Sequence, residues 1–308
     1  GAGPGGAPSG RLQGVEQEGE KTMGKIVIVG SGPAGCSAAL YAARAGQEVV
    51  VISMGMGALS KAELIQNYYG FEEGITGAEL YRQGVAGAKA VGAEFITAEV
   101  VGLDYTGSLV VQTTEGDYPA DAVILATGTG RIAPKIAGLA EHEGRGVSYC
   151  ATCDAFFYRG KTAAVLGSGE YALHEVQALL PLAGKVILCT NGEPLTADFP
   201  EGVEICTEKL AAVEGEEKVS ALRLENGELL PVEGLFVALG VAGSAALARK
   251  LGAPVENGRI VVDEKMQTGI PGLFAAGDCT GGMLQVCKAV YEGALAATEA
   301  IKQIRGKK

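Results

Sequence analysis

The feature that most constrains the fold is a repeated pattern of an apolar strand, a glycine turn and a helical segment. It occurs first in "KIVIVGSGPAG" at Lys25–Gly35 and again in "TAAVLGSGEYA" at Thr162–Ala172. The helical segments, 37–45 and 173–182, each lead to another apolar strand, "EVVVIS" or "KVILCT". Strands that alternate with helices in this way form parallel sheets. The repeat therefore predicts an α/β chain with two Rossmann-like domains.

Both glycine turns have the G-x-G-x-x-G/A spacing that suits a dinucleotide. Gly30 and Gly167 allow the tight turn, while Gly32 and Gly169 let the backbone approach a pyrophosphate at the N-terminus of the following helix. One such turn is weak evidence, because a glycine turn also serves to pack a helix on a strand. Two copies, each between a strand and a helix, favour nucleotide binding.

The segments between and after the two turns complete this outline. Short alternating runs such as "GSLVVQTT" predict antiparallel meanders. The segment "GIPGLFAAGDCTGG" predicts a strand, then Gly277 and Asp278, and then a helix over about 284–304 whose apolar residues share one face.

Composition excludes several classes of function. A length of 308 residues suits about two domains, and the net charge of −11 argues against a nucleic-acid partner. No apolar run reaches the roughly 18 residues that a membrane span needs. Seven cysteines, an odd number, favour a reducing compartment, so we expect a cytoplasmic location. Residues 1–22 are rich in Gly, Pro and Glu and are predicted to be a disordered N-terminal arm or an expression remnant.

A single C-x-x-C motif, Cys150 and Cys153 in "GVSYCATCDAFFYRGK", carries the chemistry. A zinc site needs about four ligands, and the chain has no second C-x-x-C and only two histidines, so no metal is expected. A static disulfide is unfavourable in a reducing cell. The remaining reading, a redox-active pair, is favoured because this spacing closes a small ring and lowers thiol pKa values.

Three motifs in order, "GSGPAG", "ATG" at 126–128 and "AAGD" at 275–278, resemble those of the flavoprotein disulfide reductases with two dinucleotide-binding domains. The position of "CATCD" inside the second domain narrows the resemblance to the low-molecular-weight thioredoxin reductases. It covers residues 24–305. The resemblance implies the pyridine nucleotide-disulfide oxidoreductase class II fold, with two Rossmann-like domains of the three-layer ββα type.

The same resemblance implies how the chain is divided and how it works. A discontinuous FAD domain would comprise 23–129 and 243–308, and an inserted central domain, 130–242, would carry the cysteines. Small residues at 129–131 and 241–244 would let the central domain rotate. Cys153 would face the flavin, and Cys150 would attack a disulfide of thioredoxin or a thioredoxin-like protein. Asp154 would transfer protons, with a helix cap as its alternative.

The resemblance also supplies the cofactor and its contacts. The cofactor would be FAD and the assembly a homodimer. Asn67 could instead be a turn residue, and Asp278 a helix cap. The predicted cofactor-binding residues are Gly30, Gly32, Pro33, Ala34, Gly35, Asn67, Ala126, Thr127, Gly128, Gly277, Asp278, Gln285 and Val286.

The electron donor is where this chain departs from the usual family pattern. NADPH enzymes of the family carry His-Arg-Arg after the strand that follows the second turn, and arginine pairs with the 2′-phosphate. Here the matching residues are Cys189, Thr190 and Asn191, and the usual Gly-Gly-Gln-Leu turn beside the flavin is missing as well. A subset of similar family members takes electrons from ferredoxin, which is therefore the predicted donor. An NADPH-dependent thioredoxin reductase and a non-catalytic, flavin-bound redox sensor are the alternatives.

Two further expectations concern the surface and the other cysteines. Ferredoxins are acidic, so docking on this acidic chain requires a local basic patch. The candidates for it, against the alternative of an ordinary solvated surface, are Arg145, Arg159, Lys161, Lys302, Arg305, Lys307 and Lys308. The cysteines outside the motif are predicted to be buried and inert; they are Cys36, Cys189, Cys206, Cys279 and Cys287.

Overall fold

The computed structural model of the protein describes residues 23–129 and 134–306. The N-terminal arm predicted at 1–22, part of the first predicted hinge, 130–131, and the basic residues 307–308 lie outside this range. Among the described residues, no helix is both long and apolar enough to cross a bilayer.

The described elements fall into three successive groups. The first is β1 (Lys25–Val29), α1 (Pro33–Arg44), β2 (Glu48–Ser53), α2 (Gly77–Ala90), β3 (Glu94–Thr97), β4 (Val100–Tyr105), β5 (Leu109–Thr113), β6 (Gly116–Ala120) and β7 (Ala122–Leu125). The second is β8 (Val147–Ser148), α3 (Ala151–Asp154), β9 (Thr162–Leu166), α4 (Glu170–Leu179), β10 (Lys185–Cys189), β11 (Glu204–Cys206), β12 (Leu210–Glu214), β13 (Ala221–Leu224), β14 (Leu229–Pro231) and β15 (Gly234–Val237). The third is α5 (Ser244–Arg249), β16 (Val255–Glu256), β17 (Arg259–Ile260), β18 (Leu273–Ala275) and α6 (Val286–Gly306).

Two parallel five-stranded sheets share one topology, which confirms the two Rossmann-like units. The first has the order β3-β2-β1-β7-β18, and the second has the corresponding order β11-β10-β9-β15-β8. The first sheet takes its strands from both ends of the described chain. Their central strands are buried on both faces, as parallel sheets require.

The predicted meanders are present, one for each sheet. Strands β4, β5 and β6 form one antiparallel sheet, and β12, β13 and β14 form another. Each meander, its parallel sheet and the helices on the other face give the three-layer arrangement.

Helices α1 and α4 begin three or four residues earlier than predicted, directly at the glycine turns. Gly32 and Gly169 are their N-caps, and Pro33 suits the first helical position because its fixed φ fits a helix. Helix α1 packs along α6 through small buried side chains, among them Ala38, Ala296 and Ala300. This close packing sets the N-termini of both helices at one edge of the first sheet.

Candidate functional site

A cavity of about 740 Å³ lies at the carboxyl ends of β1, β2 and β7, where α1 and α6 begin. Ligand sites in parallel α/β sheets occur at this edge, and the volume is in their usual range of about 300–1,000 Å³. Every predicted cofactor residue except Gly35 lines the cavity. The structure thus brings together segments that are up to about 250 residues apart in the sequence.

The first glycine turn is open towards this cavity. Gly30 has a φ of +109°, which favours glycine. At Gly32 an added Cβ would meet nothing within 4 Å, and no side chain caps the helix N-terminus there. The free N–H groups of α1 therefore remain available to an anion such as a pyrophosphate.

Gly35, the third glycine of the motif, does not line the cavity. A Cβ at Gly35 would lie 1.9 Å from the carbonyl oxygen of Gly30, so this glycine lets α1 pack closely on the turn. Sequence spacing alone does not show which glycine of the motif faces a ligand and which faces the protein.

Three hydroxyl groups form a cluster at the end of β2 that the sequence reasoning missed. The Ser31 hydroxyl donates to Ser53 Oγ at 2.7 Å and lies 3.1 Å from the Tyr81 hydroxyl. Ser31 and Ser53 line the cavity. The available signal was Ser53 itself, which ends β2 where a dinucleotide fingerprint usually has an acid for the ribose.

The opposite wall of the cavity is held by a buried polar network on α6. Glu292 accepts a hydrogen bond from the Gly277 N–H at 2.8 Å, and Lys288 donates to the Gly277 carbonyl at 2.9 Å. Gly277 has a φ of +88°, and Asp278 follows it on the cavity lining. This network fixes the backbone that presents Asp278.

Asn67 and Gln285 meet across the mouth of the cavity. The Asn67 side-chain amide donates to Gln285 Oε1 at 2.8 Å, although 218 residues separate them. An anion site at α1, the hydroxyl cluster beside it and a long groove to the start of α6 fit an extended dinucleotide such as FAD.

The redox motif forms a disulfide, Cys150–Cys153, with a Cα–Cα distance of 5.3 Å. Cys150 is the N-cap of α3 and is only 4% exposed, and its Sγ accepts the Cys153 N–H at 3.1 Å. Cys153 is exposed, and its Sγ lies 3.4 Å from the carbonyl oxygen of Lys250, which follows α5. The hydrogen bond to Cys150 Sγ would stabilise a thiolate on that residue.

Asp154 is held beside the disulfide through Ser148. Its Oδ2 accepts the Ser148 hydroxyl at 2.6 Å, and Ser148 Oγ accepts the Cys150 N–H at 3.1 Å. The side chain of Asp154 makes no capping hydrogen bond to the short 3₁₀ segment that follows. Neither cysteine nor Asp154 lines the cavity.

The second glycine turn, in contrast to the first, is covered. A Cβ at Gly169 would lie 3.0 Å from the Thr196 hydroxyl oxygen, and the Thr196 N–H donates to the Ser168 carbonyl at 2.9 Å. Next to it, Asn191 Oδ1 accepts the Leu210 N–H at 2.8 Å, and Thr190 is buried. The residues in the place of His-Arg-Arg are therefore buried or hydrogen-bonded within the protein, and none of them carries a charge.

The expectation of five buried, inert cysteines is wrong for two of them. Cys36, Cys189 and Cys279 are buried, but Cys287 is exposed at the start of α6 and Cys206 is partly exposed. Cys189 and Cys206 are register partners on β10 and β11. A hydrogen bond from the Cys189 thiol lowers the pKa of Cys206 to about 6. Strand pairing across 17 residues is not visible in the sequence pattern. Among the described residues, no group of three or more acidic, His or Cys side chains could hold a metal ion.

Comparisons with known proteins agree with this geometry. A family model described as pyridine nucleotide-disulphide oxidoreductase matches residues 24–293. A thioredoxin reductase of Aquifex aeolicus is 36% identical, over 92% of this chain and 94% of its own. The solved structure of the atypical thioredoxin reductase TRi from Desulfovibrio vulgaris Hildenborough is 41% identical, with a TM-score of 0.86 over 92% of this chain and 98% of that one. A ferredoxin-flavin thioredoxin reductase from Clostridium acetobutylicum is 35% identical, with a TM-score of 0.70 over 92% and 99%.

Proposed function

The chain belongs to the pyridine nucleotide-disulphide oxidoreductase family and is an FAD-dependent thioredoxin reductase, and from this premise we propose that reduced ferredoxin supplies its electrons. The donor proposal rests on the second glycine turn. Thr196 covers this turn, and no cationic side chain directly follows the strand beside it. A ferredoxin-flavin thioredoxin reductase is among the similar structures.

We propose that the predicted contact residues that line the cavity bind FAD. Gly32 and the N-terminus of α1 would bind the pyrophosphate, with Ser31 and Ser53 beside it. Asp278, Gln285 and Val286 would bind the ribityl chain and the flavin ring. When bound, FAD accepts electrons one at a time and passes a pair to a disulfide.

The chain's own residues would then carry the pair to the protein substrate. Two electrons and two protons convert the Cys150–Cys153 disulfide into two thiols. The Cys150 thiolate attacks the disulfide of thioredoxin and forms a mixed disulfide, and Cys153 displaces the thioredoxin cysteine, so that thioredoxin leaves with two thiols. Asp154 would donate and accept the protons of these steps.

The arrangement of the cysteines supports a movement between the two half-reactions. Cys150, the residue assigned to the attack on thioredoxin, is 4% exposed here, while Cys153 contacts the segment of α5. A protein substrate therefore requires the inserted domain, 130–242, to turn relative to the FAD domain, 23–129 with 243–308. Phe156 and Phe157, which are 66% and 67% exposed beside the motif, provide an apolar surface for a protein partner.

A basic patch for ferredoxin is available near the redox motif. Arg145, Arg159 and Lys161 are exposed. Lys302, which forms an ion pair with Glu299, and Arg305 lie near the end of α6, whereas the other three flank the redox motif in the sequence. The proposed docking surface is therefore the Arg145, Arg159 and Lys161 patch. A homodimer and a reducing, cytoplasmic location are part of the same proposal.

One observation favours the NADPH-dependent alternative. The aliphatic chain of Lys209 packs on Gly192, just beyond the covered turn, and its ammonium is a candidate partner for a 2′-phosphate. The sensor alternative lacks such support, because it has no need of the Cys150, Cys153 and Asp154 set.

The test of the proposed function is thioredoxin reduction driven by reduced ferredoxin. Cys150→Ser and Cys153→Ser should each abolish it, because exchange needs both an attacking and a resolving sulfur, and both variants should keep about one FAD per chain. Cys189→Ser is the matched control and should leave turnover nearly unchanged. Full activity in either motif variant would reject the redox role.

A further inference from the structure

A fully buried carboxylate on α4 contacts the redox motif directly. Glu175 is 0% exposed, and its Oε2 accepts the N–H of Ala151, the first residue between the two cysteines. Its Oε1 accepts a hydrogen bond from the ammonium of Lys250. One carboxylate thus connects the backbone of the redox helix to a buried cation.

The cation comes from the other half of the molecule. Lys250 follows α5, in the C-terminal segment that contributes β18 and α6 to the first sheet and cavity, whereas Glu175 belongs to the second sheet unit. The Lys250 side chain is 1% exposed, and its ammonium lies 5.5 Å from the centre of the Tyr171 ring. Its backbone carbonyl oxygen is the group 3.4 Å from Cys153 Sγ.

The two charges are balanced only while the two halves touch. Burial alone would raise the pKa of Glu175, but the His174 ring nitrogen 3.6 Å away, the Lys250 ammonium and the Ala151 N–H lower it, so the carboxylate is ionised. A buried pair adds little net stability because both ions lose their hydration, but removing one partner leaves an uncompensated buried charge. The pair therefore contributes mainly to selecting this arrangement of the two halves of the molecule over others.

Resting on the function proposed above, we propose that Glu175 and Lys250 are positioning residues that hold the Cys150–Cys153 pair against the FAD-binding half of the molecule. Glu175 fixes the redox helix through Ala151, and Lys250 fixes Glu175 to α5. The pair must separate before Cys150 meets thioredoxin, so its strength sets how much of the enzyme has the disulfide turned inward.

Cysteine labelling measures this positioning without any electron donor or thioredoxin. The holoenzyme is reduced with dithiothreitol, desalted anaerobically and treated with iodoacetamide, and fragment-ion mass spectrometry assigns the label within the tryptic peptide 146–159. Lys250→Met should raise the labelling rate of Cys150 about tenfold or more, because Cys150 leaves its buried position more often. Lys250→Arg should restore a rate near that of the wild type.

A second readout separates positioning from simple loss of structure. The bound flavin is photoreduced, and its electron transfer to the disulfide is measured as the recovery of the flavin absorbance. Lys250→Met should slow this step, with full flavin content, because its rate follows the fraction of molecules that has the disulfide turned inward. The matched control is Lys185→Met, which removes the lysine of an exposed pair with Glu204 and should change neither rate.

The double variant, Glu175→Gln with Lys250→Met, keeps the test decisive if Lys250→Met loses its flavin. It carries no unpaired charge, so its Cys150 labelling rate should lie between those of the wild type and Lys250→Met. A wild-type labelling rate in either folded variant, with unchanged electron transfer, would overturn the proposal. Since neither readout uses ferredoxin, failure of the donor proposal would leave this result unaffected.

Discussion

The two glycine turns begin with the same sequence, Gly-Ser-Gly, yet their surroundings differ. At the first turn nothing lies within 4 Å of the position where Gly32 would carry a Cβ, and the turn forms one wall of the 740 Å³ cavity. At the second turn the Thr196 hydroxyl stands 3.0 Å from the equivalent position at Gly169. The same local motif is therefore open in one half of the molecule and covered in the other.

The residues at the ends of the neighbouring strands differ in the same way. Ser53 ends β2, faces the cavity and joins the hydroxyl cluster with Ser31. The corresponding residue after β10, Thr190, is buried, and Cys189 before it is the register partner of Cys206. A glycine turn thus makes nucleotide binding possible, and we expect the segment after the second strand to decide whether binding occurs.

The largest expected effect comes from a carboxylate placed at each turn. Gly32→Asp should remove FAD from the protein, because a carboxylate about 4 Å from a phosphate costs about 4 kcal/mol, or about 10³-fold in affinity. Gly169→Asp is the matched change at the covered turn and should leave flavin content unchanged. The measurement is the ratio of flavin to protein absorbance after purification; equal flavin loss in both variants would break the contrast.

The second half contributes the redox motif to the reaction, and Asp154 tests that contribution. Asp154→Asn should slow turnover by about 10²–10⁴-fold, as expected for loss of a general acid–base group, with flavin retained. Steady-state thioredoxin reduction and a thermal melt decide between the two roles. A variant that melts earlier but turns over normally would show that Asp154 is structural.

Much of this architecture was predictable from the sequence, because its signals are local. The strand–turn–helix repeats, the meanders and the C-x-x-C motif are each contained in one short segment. The cover by Thr196, the Ser31–Tyr81 contact and the Glu175–Lys250 pair join residues 28, 50 and 75 positions apart, respectively, so only the folded chain shows them. The contact between Gly35 and the Gly30 carbonyl is hidden for a related reason, since it depends on how closely α1 packs on the turn.

A smaller effect is expected from opening the second turn. Thr196→Gly removes the cover, and Glu193→Arg adds a cation in the same exposed turn. The double variant should gain NADPH-driven flavin reduction about tenfold or more over either single variant, because a charge-assisted hydrogen bond contributes about 1.5–3 kcal/mol only once the phosphate can approach. Stopped-flow absorbance measures this; an equal gain from Thr196→Gly alone would show that the missing cation is unimportant.

The smallest effect concerns the two thiols, Cys189 and Cys206, that pair on β10 and β11 beside the second turn. The Cys189 hydrogen bond lowers the pKa of Cys206 to about 6. Below pH 6 the Cys206 thiol is protonated and slow to alkylate, and above pH 6 it becomes a reactive thiolate. Its iodoacetamide labelling rate should therefore rise to a plateau with a midpoint near pH 6. Cys189→Ala should move the midpoint up towards the ordinary value of about 8.5. Cys36, whose pKa burial raises to about 12, should stay unlabelled across this range; an unshifted midpoint for Cys206 would contradict the thiol contact.

Anaerobic reduction of the bound flavin tests the contrast between the two turns most directly. The oxidised holoenzyme is mixed in turn with excess NADPH, NADH and reduced ferredoxin, and bleaching of the flavin band is followed by stopped flow. The covered turn predicts fast bleaching by ferredoxin and slow bleaching by either nicotinamide nucleotide. Fast bleaching by micromolar NADPH would contradict the account and show that the second turn binds its nucleotide despite Thr196.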